Sequence, residues 1–423
     1  MNLNFSVSRE FGHGFFVQGS YVSRLSRHSL LNRDVAMPTN LVDPKSGQTY
    51  FQAASQMGTY LLAGGSPNNI PKIPFFENMY GTVAAGGFSA TQLIAQDAVN
   101  NSTRGADMTT TLTDIDDGDL CSTTGTTFKG SGAINRLACG VLGPWMMFNP
   151  QFSALSAWSS IGKGSYHAMQ WTVRKRLSSG LTFDLNYTMS KSIDLGSAQE
   201  NAGSFTGFVQ NAWDPSQMRA VSSYDALHQI NGFVVWQLPL GRGRRLAGNS
   251  NRIVDALIGG WQISGGWTQT SGLPFSVSQG RKWPTNWNIS PNATPNGKPQ
   301  VPVTNNENAP PASGPVGGPN LWSDPAAEFA AWSFTTTGQS GSIRTLRGAG
   351  NFNIDTGVSK RWVMPYSEHH TVQLRWESFN TTNSVRFDPS SATNTVTTSS
   401  SFGKLTSTLN SPRQMQFALR YEW

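Results

Sequence analysis

The last eleven residues, Arg413 to Trp423, run R-Q-M-Q-F-A-L-R-Y-E-W and end on an aromatic. In an extended chain Met415, Phe417, Leu419, Tyr421 and Trp423 fall on one side, and Gln414, Gln416, Ala418, Arg420 and Glu422 on the other. A half-buried strand of a soluble sandwich has the same period. Ending on a strand with no tail and an aromatic carboxyl terminus, however, suits a transmembrane barrel strand: roughly ten residues, an apolar lipid face, a polar inner face and an aromatic at the water boundary. The expected fold class is therefore all-β, an antiparallel transmembrane β-barrel of outer-membrane type.

Composition agrees with that expectation. Only 13% of the 423 residues are charged, about half the usual share, while Gly (43), Trp (14) and Phe (23) are abundant. Mean hydropathy is −0.34, which is polar on average, and no run approaches the ~18 apolar residues of a membrane helix. Alternating strands joined by long polar loops produce this combination. The 31 Lys and Arg, with a pI near 9.5, are scattered and surround no nucleic-acid-binding module, so no nucleic-acid partner is expected.

In chain order, Leu3, Phe5 and Val7 open an alternating run, and Phe15, Val17 and Tyr21 follow after a short turn. Residues 24–164 lose the period and read as a large loop region, with a short helix over Phe88 to Val99 and a candidate strand over Gln151 to Ile161. Met169, Trp171 and Val173, the turn at Leu177 to Gly180, and then Leu181, Phe183, Leu185, Tyr187 and Met189 form the clearest hairpin. Further strands are expected over Gln229 to Leu238, over Leu257 to about Ser278, around Phe352 to Trp362 and around Val372 to Trp376. Residues 279–350, dense in Pro, Asn and Gly, read as a second large loop.

From the amino end, the connections run short, very long, short, long, intermediate, long, short, long. Short periplasmic turns and long extracellular loops alternate in this way in bacterial outer-membrane barrels, and counting back from Trp423 puts every short connection in the periplasm. The same count places Trp236, Trp261, Trp362 and Trp423 at periplasmic strand ends, as an aromatic girdle requires.

Little in the chain points to catalysis. Gly241-Arg242-Gly243-Arg244-Arg245 lacks the third glycine of a nucleotide fingerprint and reads as a basic turn against anionic lipid headgroups; Gly125 to Ser131 lacks the lysine of a P-loop. Asp114, Asp116, Asp117 and Asp119 crowd around Gly118 without calcium-loop spacing, and read as a solvated acidic turn rather than a metal site. Inner-face Asp184, Asp355, Arg361, Arg375, Glu377, Arg420 and Glu422 read as charges that pair with one another or with water. No Ser/His/Asp set is visible, so neither enzymatic activity nor a cofactor or metal is expected. Cys121 and Cys139 stand in a polar exported stretch as a disulfide, with two unrelated free thiols the alternative. The amino terminus lacks a basic and apolar leader, so the chain is expected to begin partway through a longer gene product.

Several motifs follow one another in order: S-Y-H-A-M-Q-W-T-V-R-K-R-L-S-S-G-L-T-F-D-L-N-Y-T-M-S-K-S-I-D, L-P-L-G-R-G-R-R, G-G-W-Q-I-S-G-G-W-T-Q-T-S-G-L-P-F-S-V, N-F-N-I-D-T-G-V-S-K-R-W and L-R-W-E-S-F-N-T-T-N. From about Asn149 to Trp423 they resemble the carboxy-terminal barrel of Oar-like TonB-dependent outer-membrane receptors, whose members carry an amino-terminal carboxypeptidase-regulatory-like domain and a plug. The resemblance implies that residues 1–423 are the carboxy-terminal part of a receptor barrel of about 22 strands. It implies energised uptake of a substrate and three partners: outer-membrane lipid, the TonB complex through amino-terminal parts, and the barrel assembly machinery. That machinery would read Met415, Phe417, Leu419, Tyr421 and Trp423 as its signal. The alternatives are a surface adhesin or structural barrel, and a passive pore. With about nine readable strands, the expected structure is a partial barrel whose Phe5 strand does not pair with its Phe417 strand. The loop aromatics Phe75, Phe76, Tyr80, Trp283, Trp287, Trp322 and Trp332 read as exposed groups suited to stacking on sugar or peptide, with packing on one another the alternative.

Overall fold

The computed structural model describes residues 1–35, 39–82, 87–100, 137–138, 155–197, 209–280, 289–309, 317–397 and 399–423. Nine long strands form one antiparallel sheet in sequence order: β1 (Asn2–Phe11), β2 (Phe15–Asp34), β3 (Ser156–Ser178), β4 (Leu181–Asp194), β5 (His228–Gln237), β6 (Trp261–Thr270), β7 (Asn351–Met364), β8 (Ser367–Phe379) and β9 (Gln414–Glu422). The short strand Ala220–Val221 joins this sheet beside β4. Among the described residues β1 pairs only with β2 and β9 only with β8, so the sheet is not closed and Phe5 does not meet Phe417, as expected.

Register puts most of each strand's apolar residues on one face, with Phe233, Val235 and Phe379 among those on the other. Directly opposed residues share a face, and the pairs Val17–Val173, Val173–Leu185, Gly232–Leu185, Trp267–Gly232 and Ile354–Trp267 run along one row of it. Trp236–Ile263, Val358–Ile263, Val358–Trp376 and Trp376–Phe417 make a second row. The opposite face carries Gln18, Gln170, Thr188 and Asn231, with Gln373 and Arg420 further along. The apolar face is unpacked: Phe5, Met169, Trp171, Met189 and Trp267 are exposed, and Phe417, Leu419 and Trp423 reach 76%, 74% and 85%. An apolar surface extending across nine strands far exceeds the few hundred Å² that a soluble monomer tolerates, so hydrocarbon is the medium it fits. No helix of the described residues is long and apolar enough to cross a membrane.

Strands β5, β6 and β9, of 10, 10 and 9 residues, match one bilayer crossing. Strands β2 and β3 do not: at 20 and 23 residues they project well beyond it, so the first large loop is narrower than residues 24–164. Sequence periodicity misses the extension of β2 because the ladder shifts register between Arg27, Ser29 and Leu31, where His28 adopts a φ of 58°. A bulge inserts one unpaired residue and reverses the alternation beyond it. Opposite this bulge Gly162 is required, since a Cβ there would stand 2.7 Å from the Ser29 carbonyl oxygen. The candidate strand over Gln151 to Ile161 appears as the start of β3 at Ser156.

A second correction concerns Leu257 to Ser278, expected as one strand. Its first residues belong to a helix, Arg252–Ile258, capped by Asn251, whose side chain accepts from Val254 N at 2.9 Å; the strand starts at Trp261 and ends at Thr270. Asn251 as a cap, Ile253 and Leu257 at helical spacing, and Gly259-Gly260 as a stop were all legible. The apolar run beyond them outweighed these signals.

The described parts of the long loops fold onto cores of their own. In the first, helices α1 (Tyr50–Leu62), α2 (Pro74–Met79) and α3 (Ala90–Asn100) bury Tyr50, Met57, Ile73, Phe75, Phe76 and Ile94. Capping boxes start α1 and α3: Thr49 Oγ1 accepts from Gln52 N while Gln52 Oε1 accepts from Thr49 N, and Ser89 and Gln92 repeat the pattern. The expected helix over Phe88 to Val99 is α3; α1 was missed, although T-Y-F-Q is its signature. A second core joins the 271–350 and 380–413 connections through Val277, Leu321, Trp322, Trp332, Phe334, Val396 and Phe402, and Leu62 of α1 packs on it. Trp322 stacks on Phe402 with ring centres 4.8 Å apart.

Candidate functional site: the inner wall and its roof of loops

Four long connections leave the same end of the sheet and fasten to one another there. Phe51 of α1 meets Trp213 edge-on, with ring centres 6.3 Å apart. Gln217 and Asn211 both donate to the Gly338 carbonyl at 3.0 Å, and Gln217 Oε1 accepts from Ser340 N at 2.9 Å. Two arginines bind this roof to the wall. Arg344 donates from Nη1 to Ser197 Oγ at 2.5 Å and pairs with Asp194 at 3.2 Å; burial pulls its guanidinium below its ordinary value, and the Asp194 carboxylate works the other way. Arg347 pairs with the buried Asp225, whose Oδ1 accepts from Ser192 N at 2.5 Å.

Within the roof, Asp43 organises the start of the first loop. Burial opposes its charge, but Asn78 Nδ2, Ser46 Oγ and the Lys45 and Ser46 amides donate to it and push its carboxyl down to about 2. Glu328 is also buried and accepts from Trp332 Nε1 at 2.7 Å and Val301 N at 2.6 Å; desolvation prevails there and raises its value.

Under the roof, the inner face forms a polar recess of about 380 Å³ where β6, β7, β8 and β9 reach the loop end. Asn351, Asn353 and Asp355 line it from alternate positions of β7, opposite Thr268 of β6, and Phe379 and Gln414 close it from β8 and β9. Asp355 accepts from Asn353 Nδ2 at 2.9 Å and Asn380 N at 2.8 Å, while Asn380 Nδ2 donates to the Ser384 and Ser411 carbonyls. Asn351 Oδ1 is buried without a partner among the described residues. With an aromatic side chain and the Asp355 carboxylate beside several amides, this recess has the chemistry of a site for a polar molecule. Asp355 and Gln414 were legible as inner-face residues, but their convergence with the others was not, because the lining comes from four strands.

The remaining inner-face charges pair as expected. Arg174 meets Asp184 at 2.6 Å, Arg361 and Arg420 meet Glu422 at 3.2 and 3.1 Å, and Arg375 and Gln416 both hold Glu377.

The structure gathers Trp236, Trp261, Trp362 and Trp423 on the apolar face at the short-turn end, together with Tyr421. Two lysines also lie on that face near the same end. Lys175 turns its ammonium onto the His13 and Ser178 carbonyls, 5.3 Å from the Phe15 ring; Lys360 donates to the Gly259 carbonyl and lies 5.3 Å from both the Trp261 and Trp362 rings. Such snorkelling marks a boundary between hydrocarbon and water. Of the two readings of the loop aromatics, exposure for stacking is overturned and packing on one another holds: Phe75, Phe76, Tyr80, Trp322 and Trp332 are all buried. They are core, because ordered loops of this length need apolar interiors of their own. Trp283, Trp287, Cys121, Cys139, the aspartates around Gly118 and Gly125 to Ser131 lie outside the described residues.

An apolar outer wall edged by aromatics, a polar inner wall, short turns at one end and ordered loops at the other define a β-barrel protein of the bacterial outer membrane. The family described as outer membrane beta barrel domain matches residues 1–416, and the chain belongs to it. No curated protein and no solved structure matches the chain.

Proposed function

We infer that this barrel is the carboxy-terminal part of a receptor that captures a substrate at the cell surface and takes it up with energy from the TonB complex. The carrying observation is the roof: the described parts of four extracellular connections fold onto shared cores, Leu62 with the 271–350 and 380–413 connections in one and Leu195, Val209 and Met218 with Ile343 in another, above an amide-lined recess in the inner wall. A passive pore needs an open mouth, and an adhesin needs no recess on its inner wall. The Oar-like motifs from Ser165 onward favour the same reading. The barrel assembly machinery and membrane lipid are its further partners, and the reading assigns it no catalysis and no cofactor.

The test compares cells lacking the whole gene product with cells lacking TonB, each fed a panel of glycans and peptides. Loss of uptake of the same compound in both strains is the expected result. A compound that needs the barrel but not TonB would point to a pore, and surface attachment lost with all uptake intact would point to an adhesin.

A further inference from the structure

The connection between β5 and β6 has features that neither a turn nor a girdle explains. Residues 239–260 carry Arg242, Arg244, Arg245 and Arg252 against one acid, Asp255. All four arginines are exposed, and among the described residues no ion pair links them to a carboxylate. Asp255 is occupied at the turn, accepting from Arg242 N at 2.6 Å. The helix that follows, α4 (Arg252–Ile258), buries none of its residues: Ile253 and Leu257, one turn apart, are 77% and 69% exposed.

The carboxyl end of α4 is fixed against the apolar face of the sheet. Trp261 Nε1 donates to the Leu257 carbonyl at 2.8 Å and Trp362 Nε1 to the Ala256 carbonyl at 2.8 Å. Lys360 Nζ, between these two indoles, donates to the Gly259 carbonyl. Three donors from the outer wall thus satisfy three carbonyls at the end of one short helix, which would otherwise be left without partners in a dry environment. Apolar side chains pinned at girdle height have hydrocarbon beside them, and arginines at the same end have headgroups.

We propose that residues 239–260 form an interfacial anchor that binds the anionic phospholipid of the periplasmic leaflet. Ile253 and Leu257 enter the acyl boundary, while Arg242, Arg244 and Arg245 contact headgroup phosphates. The anchor fixes the height of β5 and β6 in the bilayer. It rests on the short turns facing the periplasm, and is independent of whether the barrel transports.

The experiment uses the full gene product folded into phosphatidylcholine vesicles with and without phosphatidylglycerol, in a background with its native cysteines, Cys121 and Cys139 included, replaced by serine. Single cysteines, Ile253→Cys, Leu257→Cys and, in an extracellular loop, Leu409→Cys, carry an environment-sensitive fluorophore. Labels at 253 and 257 are expected to be quenched by lipid spin-labelled near the headgroup and shielded from aqueous iodide; the label at 409 shows the reverse. Spin-labelled phosphatidylglycerol should quench them more than spin-labelled phosphatidylcholine, with that preference falling about fivefold for each arginine replaced in R242Q, R244Q and R245Q. Should one label prevent folding, as judged by heat-modifiable mobility, the other carries the same reading. Labels at 253 and 257 that iodide reaches freely overturn the proposal. So does shielding that appears only when periplasmic proteins are added, which would make the surface a protein site, and so does shielding in vesicles lacking anionic lipid that appears only when inorganic phosphate is added, which would make it a site for free phosphate.

Discussion

Replacing Leu185 with arginine tests the assignment of the two faces where it costs most. Leu185 stands on the apolar face of β4, four positions from Leu181, which pairs with Trp236 at the short-turn boundary, and two from Tyr187, whose hydroxyl meets His228 Nδ1 at 2.9 Å. At about 3.3 Å per residue and a tilt near 40°, it lies roughly 10 Å above that boundary, close to the centre of an apolar band about 25 Å tall. Its directly opposed neighbours are Val173 and Gly232, neither of which offers an acid. An arginine at the centre costs about 2–4 kcal/mol, or roughly 30- to 900-fold in the folding equilibrium. Gln170→Arg puts the same charge on the opposite face, four strand positions from Arg174 and open to water, and should stay within about 0.5 kcal/mol of the parent. Urea unfolding of the protein folded in vesicles, followed by heat-modifiable mobility, reads both. Equal losses for the two variants, or a larger loss for Gln170→Arg, would refute the assignment of faces.

Trp322→Ala should unfold the roof and leave the wall intact, at about 3–5 kcal/mol for a buried aromatic, whereas Trp322→Phe keeps the stack on Phe402 and costs less because the indole nitrogen has no partner; limited proteolysis from the outside reads the difference, and equal resistance of the alanine variant would count against the shared loop core. Asp43 is depressed in the folded state, so its contribution is present above the ordinary carboxylate value and fades as pH falls from about 4 to about 2; Asp43→Asn should remove that acid-sensitive step from loop proteolysis, and an unchanged profile would dismiss the role given to its four donors. Deleting Trp423 in the full gene product should lower its level in the outer membrane, if the last strand is read by the assembly machinery; an unaltered level of heat-modifiable barrel speaks against it. Thiol labelling of the intact, unreduced protein should find Cys121 and Cys139 blocked as a disulfide, and free sulfurs at both positions would exclude the bond.

Period-2 alternation determined most of the wall in advance, because a strand with lipid on one side and a polar interior on the other writes its two faces into alternate residues. From that pattern came the order of nine strands, the sides of their connections, and the end of the sheet at which Trp236, Trp261, Trp362 and Trp423 gather. Tertiary structure decided what has no period. The bulge at His28 hid the outer half of β2, and α4 was masked by the apolar run that follows it. Loop aromatics carry no mark of whether they face water or each other, and only folding showed Phe75, Phe76, Trp322 and Trp332 to be interior. The recess assembles Thr268, Asn351, Asn353, Asp355, Phe379 and Gln414 from strands that are up to 146 positions apart. Each of these looks like an ordinary inner-face residue until the register sets them side by side.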